Sequence, residues 1–168
     1  LKAGKDVVTA NKALLAKHGK EIYSTARANG RCIAFEASCG GGIPLILPLR
    51  TGLIANRINA IYGILNGTCN YILTEMGQKG KSYAEALQEA QAAGFAELDP
   101  TLDVSGGDTA HKLAILASIA FACDVDVTRQ RRFFGREQFC AHRAQVRILG
   151  HRLFAPAGRH AVLPLCVI

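Results

Sequence analysis

The 168-residue sequence has no tryptophan, a single methionine (Met76), and no GxGxxG or CxxC pattern anywhere. Without GxGxxG there is no self-contained phosphate turn for a dinucleotide. Without CxxC, the six cysteines (Cys32, Cys39, Cys69, Cys123, Cys140 and Cys166) form neither a zinc motif nor a recognisable disulfide frame. They suit free thiols in a reducing compartment, and the expected location is cytoplasmic. No apolar run is long enough to span a bilayer, and the first residues do not read as a signal peptide. Lysine is also missing after position 112.

What is present suits a globular chain: 49% of residues are hydrophobic and 20% charged. The formal charge of +7 would ordinarily suggest an anionic polymer or a membrane surface. Its distribution weakens that idea. Residues 1–125 hold eight lysines and four arginines against eleven acids, whereas residues 126–168 hold eight arginines against two acids. The excess belongs to the last quarter.

Along the chain, Asp6 to Thr9 reads as a short buried parallel strand, followed from Lys12 by a helix with Ala and Leu on one face. That helix is expected to end at Gly30, with a second strand over Cys32 to Glu36 and a glycine turn at 40–42. The turn by itself reads as a tight crossing loop. Pro44 and Pro48 predict a bent helix start. Arg57 to Leu65 alternates as a strand, with Ile58, Ala60, Tyr62 and Ile64 on the face expected to be buried. Asn66-Gly67-Thr68 reads as a strand-to-helix turn capped by the Thr68 hydroxyl. Ser82 to Glu85 is a capping box, opening a helix that ends at Gly94 with Ala84, Leu87 and Ala90 to Ala93 towards a core.

The densest chemistry lies from Ala90 to Lys112, AQAAGFAELDPTLDVSGGDTAHK, where Glu97, Asp99, Asp103 and Asp108 precede Lys112. Its glycines and Pro100 require a loop, and the apolar run LAILASIAFAC after Lys112 requires a helix. Asp108 and Lys112 would then sit one turn apart. A solvated surface pair is the plain reading of such spacing. However, helical steps from Lys112 reach Leu116, Ile119 and Cys123, so the ammonium shares an apolar stripe and faces several carboxylates.

This stretch resembles the homoserine dehydrogenase family in the spacing of Gly94-Phe95-Ala96, Asp99-Pro100, Asp103-Val104, Gly106, Asp108 and Lys112. Three further segments resemble the same family: VVTANK at 7–12, EASCGGGIP at 36–44 and NGTCNYIL at 66–73. The resemblance implies an α/β architecture: the C-terminal part of a Rossmann-type nucleotide-binding domain (1–45), then part of an α+β catalytic domain (46–129), both incomplete. It implies NAD(P)-dependent interconversion of L-homoserine and L-aspartate 4-semialdehyde, with NADP or NAD as cofactor. Lys112 would be the proton donor, and Lys12 would lie beside substrate and nicotinamide. Glu97 and Asp108, supported by Asp103, would hold the substrate ammonium. Asp99 reads rather as a loop-fixing residue. Gly94 would let the backbone approach the cofactor. Glu36, Cys39, Gly41 and Ile43 would hold a monovalent cation such as sodium, mostly through main-chain carbonyls. The intact family enzyme is expected to be a homodimer without nucleic-acid or membrane partners.

The resemblance covers about residues 1–129. Beyond it, residues 130–168 are arginine-rich and aperiodic, with a faint family-like echo at Val146 to Gly150. Such composition is expected of a shifted reading frame in a GC-rich gene. Two other readings stand beside the enzyme: an inactive fragment of it, and a basic nucleic-acid binder using the arginine tail.

Overall fold

Polar caps and apolar stripes divide the chain into the elements seen in the computed structural model, which describes residues 1–123 and 125 and the backbone of 145–149 and 165–166. Strand β1 (Val7–Val8) pairs in parallel with β2 (Ile33–Ala34), joined by helix α1 (Lys12–Ala28). Asn11 caps α1 by accepting the Leu14 amide at 3.0 Å.

The expected strand over Cys32 to Glu36 is shorter than the sequence suggested. After Ala34 the chain turns into a single tight helical turn, Glu36–Ser38. The Ser38 hydroxyl donates to the Phe35 carbonyl at 2.6 Å, and the Glu36 carboxylate accepts the amides of Leu45, Ile46 and Leu47. Side-chain hydrogen bonds to nearby backbone thus displaced the strand ladder. The bent helix start appears as a wide turn over Pro48–Gly52, closed by the Leu53 amide donating to the Pro48 carbonyl at 2.9 Å.

Strand β3 (Ala60–Ile64) pairs antiparallel with β4 (Gln145–Leu149), which pairs with β5 (Leu165–Cys166). Of the echo at Val146 to Gly150, the residues up to Leu149 therefore fall on a strand beside β3, and Gly150, like the rest of the tail apart from β4 and β5, lies outside the described residues. The buried face of β3 is the opposite of the expected one. Ile61 packs into the core while Tyr62 and Ile64 are exposed. Alternation reveals two faces but not which one meets a helix.

Helices α2 (Gly67–Lys79) and α3 (Tyr83–Ala92) pack as a pair around Ile72, Ala86 and Ala90. The capping box at Ser82 and Glu85 is formed as expected, whereas the buried stripe is Ala86 and Ala90, not Ala84 and Ala92. Short α4 (Thr101–Val104) leads through Gly106, at φ 74°, into α5 (Gly107–Ala120). That left-handed step between the two helices suits glycine.

Helix α5 is the centre of the molecule. Ile115 and Leu116 join Leu15, Phe35 and Ile46 in the largest core cluster. Each such side chain contributes roughly 1.5–3 kcal/mol by leaving water. Against α1, the contact is made by Ala16, Ala110 and Ala114, whose small side chains let the two helices approach closely. That approach brings the first turn of α1 to the first turn of α5. No helix among the described residues is long and apolar enough to cross a membrane.

Candidate active site

Where α1 and α5 meet, Asp108 is 3% exposed and both of its oxygens are engaged. Oδ1 lies 2.8 Å from Lys12 Nζ and Oδ2 lies 2.7 Å from Lys112 Nζ. Lys112 Nζ also donates to the Leu65 carbonyl, at the end of β3, at 2.8 Å. Its side chain is only 21% exposed, which removes the surface-pair reading. Leu116, a turn further along the same stripe, is buried as the helical spacing predicted.

A residue absent from the sequence-based candidates completes the cluster. Asn66 caps α2, accepting the Cys69 amide at 2.8 Å, and its Nδ2 donates to Asp108 Oδ2 at 2.9 Å and to Asp103 Oδ1 at 2.8 Å. The cap is therefore Asn66 and not Thr68. The Thr68 hydroxyl instead donates to the Phe95 carbonyl at 2.7 Å, pinning the loop after α3. The signal was available: asparagine ranks above threonine as a cap and stands just before the helical run.

Electrostatics follow this geometry. Burial alone would push the Asp108 carboxyl up, but donors from Lys112, Lys12 and Asn66 outweigh it and hold the group below the ordinary carboxylate range. The same Asp108 contact holds the Lys12 ammonium above its usual value, against the opposing effect of its burial. A neighbouring cation would have lowered it, so the intervening carboxylate decides the sign.

The structure thus brings Lys12, Lys112, Asp103 and Asp108 together. Glu97 and Gly94 lie on the adjoining loop. Glu97 is exposed, forms no ion pair among the described residues, and is held through its carbonyl by Gln91. Gly94, at φ 76°, ends α3: the Phe95 amide reaches the Ala90 carbonyl at 2.8 Å and the Gly94 amide reaches Gln91 at 3.1 Å. This helix end requires a left-handed residue whatever else Gly94 does. Asp99 accepts the amide and hydroxyl of Thr101, the loop-fixing role expected of it.

The glycine loop abuts the same helix, with the Cys39 thiol against the Lys112 carbonyl at 3.9 Å. Burial pushes that thiol up, away from the thiolate a soft metal would need. Among the described residues, the carbonyls of Cys39, Gly41 and Ile43 accept no hydrogen bond, and no three His, Cys, Asp or Glu side chains gather as a metal cluster. A donor set of neutral carbonyl oxygens fits a hard, singly charged ion. Glu36 staples the loop. Its three amide donors overcome the effect of burial and hold the carboxyl below its usual range. Glu36→Gln is expected to speed hydrogen exchange at the Leu45, Ile46 and Leu47 amides, and the wild-type protection should fade as pH falls through the depressed Glu36 value. Unchanged exchange would show that the staple contributes nothing.

Residues 44–133 match the family model described as homoserine dehydrogenase, and residues 1–36 match its NAD binding domain. The chain is 62% identical over 118 residues to a homoserine dehydrogenase of Pseudomonas aeruginosa, covering 70% of this chain and 27% of that one. Against the Bacillus subtilis homoserine dehydrogenase it is 51% identical over 127 residues, covering 76% and 29%. It also superposes on the crystal structure of a homoserine dehydrogenase from Thiobacillus denitrificans with TM-score 0.72 and 53% identity, over 76% of this chain and 30% of that one. For a hyperthermophilic archaeal homoserine dehydrogenase in complex with NADPH the TM-score is 0.66 at 34% identity, over 70% and 36%. The chain therefore spans between a quarter and a third of the length of the curated relatives quoted.

Proposed function

We propose that this chain, which belongs to the homoserine dehydrogenase family, carries the proton-transfer and substrate-holding part of an NAD(P)-dependent interconversion of L-homoserine and L-aspartate 4-semialdehyde. The observation that carries the reading is the Lys112 ammonium, largely buried and shared between Asp108 Oδ2 and the Leu65 carbonyl. An ammonium has three N–H donors, and these two acceptors leave one. The remaining N–H is the proton that passes to the aldehyde oxygen in reduction and returns to Nζ in oxidation. When bound, the nicotinamide supplies or accepts the hydride at the carbonyl carbon.

Lys12 has one N–H on Asp108, which leaves two for the substrate's carboxylate and the carboxamide side of the cofactor. Asp108 is the pivot that sets the two lysines. With its oxygens committed to donors of the protein, Asp103 and Glu97 take the larger share of the substrate ammonium. Cys39, Gly41 and Ile43, with the Glu36 carbonyl, would hold a sodium-like ion through main-chain oxygens. Gly94 keeps its place near the cofactor as an inference from the family alone. In the intact enzyme the reading has a homodimer, small-molecule ligands, and no nucleic-acid or membrane partner.

The residues suit the reactive end of the nucleotide and not its phosphates. The start of α1, at the carboxyl end of β1, is already capped by Asn11, and no glycine-rich phosphate turn occurs in the sequence. The 168-residue chain is therefore expected to bind NADPH too weakly to follow at micromolar concentrations. Fluorescence titration checks this, and saturable tight binding would overturn it. Turnover of aspartate semialdehyde with NADPH tests the main proposal. The same segment within an intact family enzyme should be active, and inactivity there would remove it. Activity only in the intact enzyme would make the isolated chain an inactive fragment.

A further inference from the structure

Asn66 sits at the start of α2, 3% exposed, with every polar atom of its amide in use. The Cys69 amide can only donate and the two carboxylates, when ionised, can only accept, so the orientation of the amide is fixed by its partners. We propose that Asn66 is the positioning residue of the site: its single NH2 group sets the separation and facing of the Asp103 and Asp108 carboxylates, and its Oδ1 ties both to the first turn of α2.

The choice of residue type separates this role from capping. Serine, aspartate and asparagine are about equally good caps. They differ in what the rest of the side chain offers. An amide has two N–H groups splayed in one plane, one for each carboxylate; a hydroxyl has one, and a carboxylate has none. Only asparagine can cap α2 and bridge two anions at once. Of the two, Asp108 has cations on both oxygens, whereas Asp103 has only Asn66 on Oδ1, and its Oδ2 accepts no hydrogen bond among the described residues. Fixing Oδ1 leaves Oδ2 as the oxygen turned to a substrate ammonium. That last step rests on the dehydrogenase reading; the bridge itself does not.

The test needs no substrate, so a chain without turnover still answers it. In the 168-residue chain labelled at the aspartate carboxyl carbon, NMR titration follows Asp103 and Asp108 directly. The groups facing Asp108 are Lys12 on α1, Lys112 on α5, Asp103 on α4 and the Cys39 thiol on the glycine loop, and all are retained in the variants. Asn66→Ser keeps the cap but lacks the bridge, and the Asp108 midpoint should rise by about one pH unit. Asn66→Asp keeps the cap and adds a third anion, so the rise should be larger. A midpoint unchanged in a folded variant would reduce Asn66 to a cap and overturn the proposal. Should both variants unfold, the unaltered chain decides. Both Asn66 side-chain amide protons should exchange slowly and shift as the carboxylates protonate, and a proton exchanging at the rate of a free amide would overturn the bridge.

Discussion

Lys112→Ala, placed in an intact homoserine dehydrogenase containing this segment, is expected to lower kcat for aspartate semialdehyde reduction by about 10²–10⁴-fold, the usual contribution of a positioned proton donor. The affinity for NADPH should survive, because the side chain lies on the α5 face shared with Asp108 and the Leu65 carbonyl. Loss in kcat and kcat/KM together is the signature of an interaction made in the transition state. Lys112→Arg provides a control. It retains the charge beside Asp108, but a guanidinium does not give up its proton near neutral pH, so the variant should stay inactive. Near wild-type kcat in the alanine variant would exclude Lys112 from the chemistry.

The second large effect concerns stability. Asp108→Asn leaves two partly buried ammonium groups with no anion between them. Removing one partner of a buried ion pair costs about 3–5 kcal/mol. Lys12 and Lys112 retain partial access to water, so the expected loss is towards the lower end, about 3 kcal/mol. For a chain of this size that lowers Tm by roughly 6–12 °C. The pH dependence has a definite sign. The folded Asp108 carboxyl is held below its unfolded value, so its contribution is complete above pH about 4 and disappears as pH falls through the folded value. The Asp108→Asn variant should lose that acid limb. At the alkaline end, Lys12 is held above its unfolded value, so its share is complete below that value and is lost as pH rises through the folded one. Denaturant unfolding at several pH values checks both limbs, and equal stability of wild type and variant at pH 7 would refute the pivot role of Asp108.

The elements most legible in the sequence were those specified by neighbours along the chain. The Lys12–Ala28 helix, the Ser82–Glu85 capping box, the left-handed end at Gly94 and the Asp108/Lys112 turn each depend on contacts within a few residues. Less legible were features in which a local pattern leaves two outcomes of similar energy. Strand β3 alternates on both faces, and only packing against α5 buries Ile61 over Tyr62. Thr68 and Asn66 were both acceptable caps, and the carboxylates of α4 and α5 selected Asn66 by requiring N–H donors. Glu36 read as the end of a strand and, by resemblance, as a cation-loop residue, but not as the staple of an amide row nine to eleven positions away.

By itself, the sequence determined the family and the order of the longer helices and singled out Lys12, Asp103, Asp108 and Lys112 as candidates, because residue type and short spacing carry that information. Tertiary structure alone decided that Lys12 and Lys112 meet on one carboxylate, since they stand far apart in the chain and only the close α1–α5 approach over alanines brings them together. It also decided that Asn66 joins them. Long-range contacts of this kind depend on which surfaces are buried together, and no local rule along the chain encodes that.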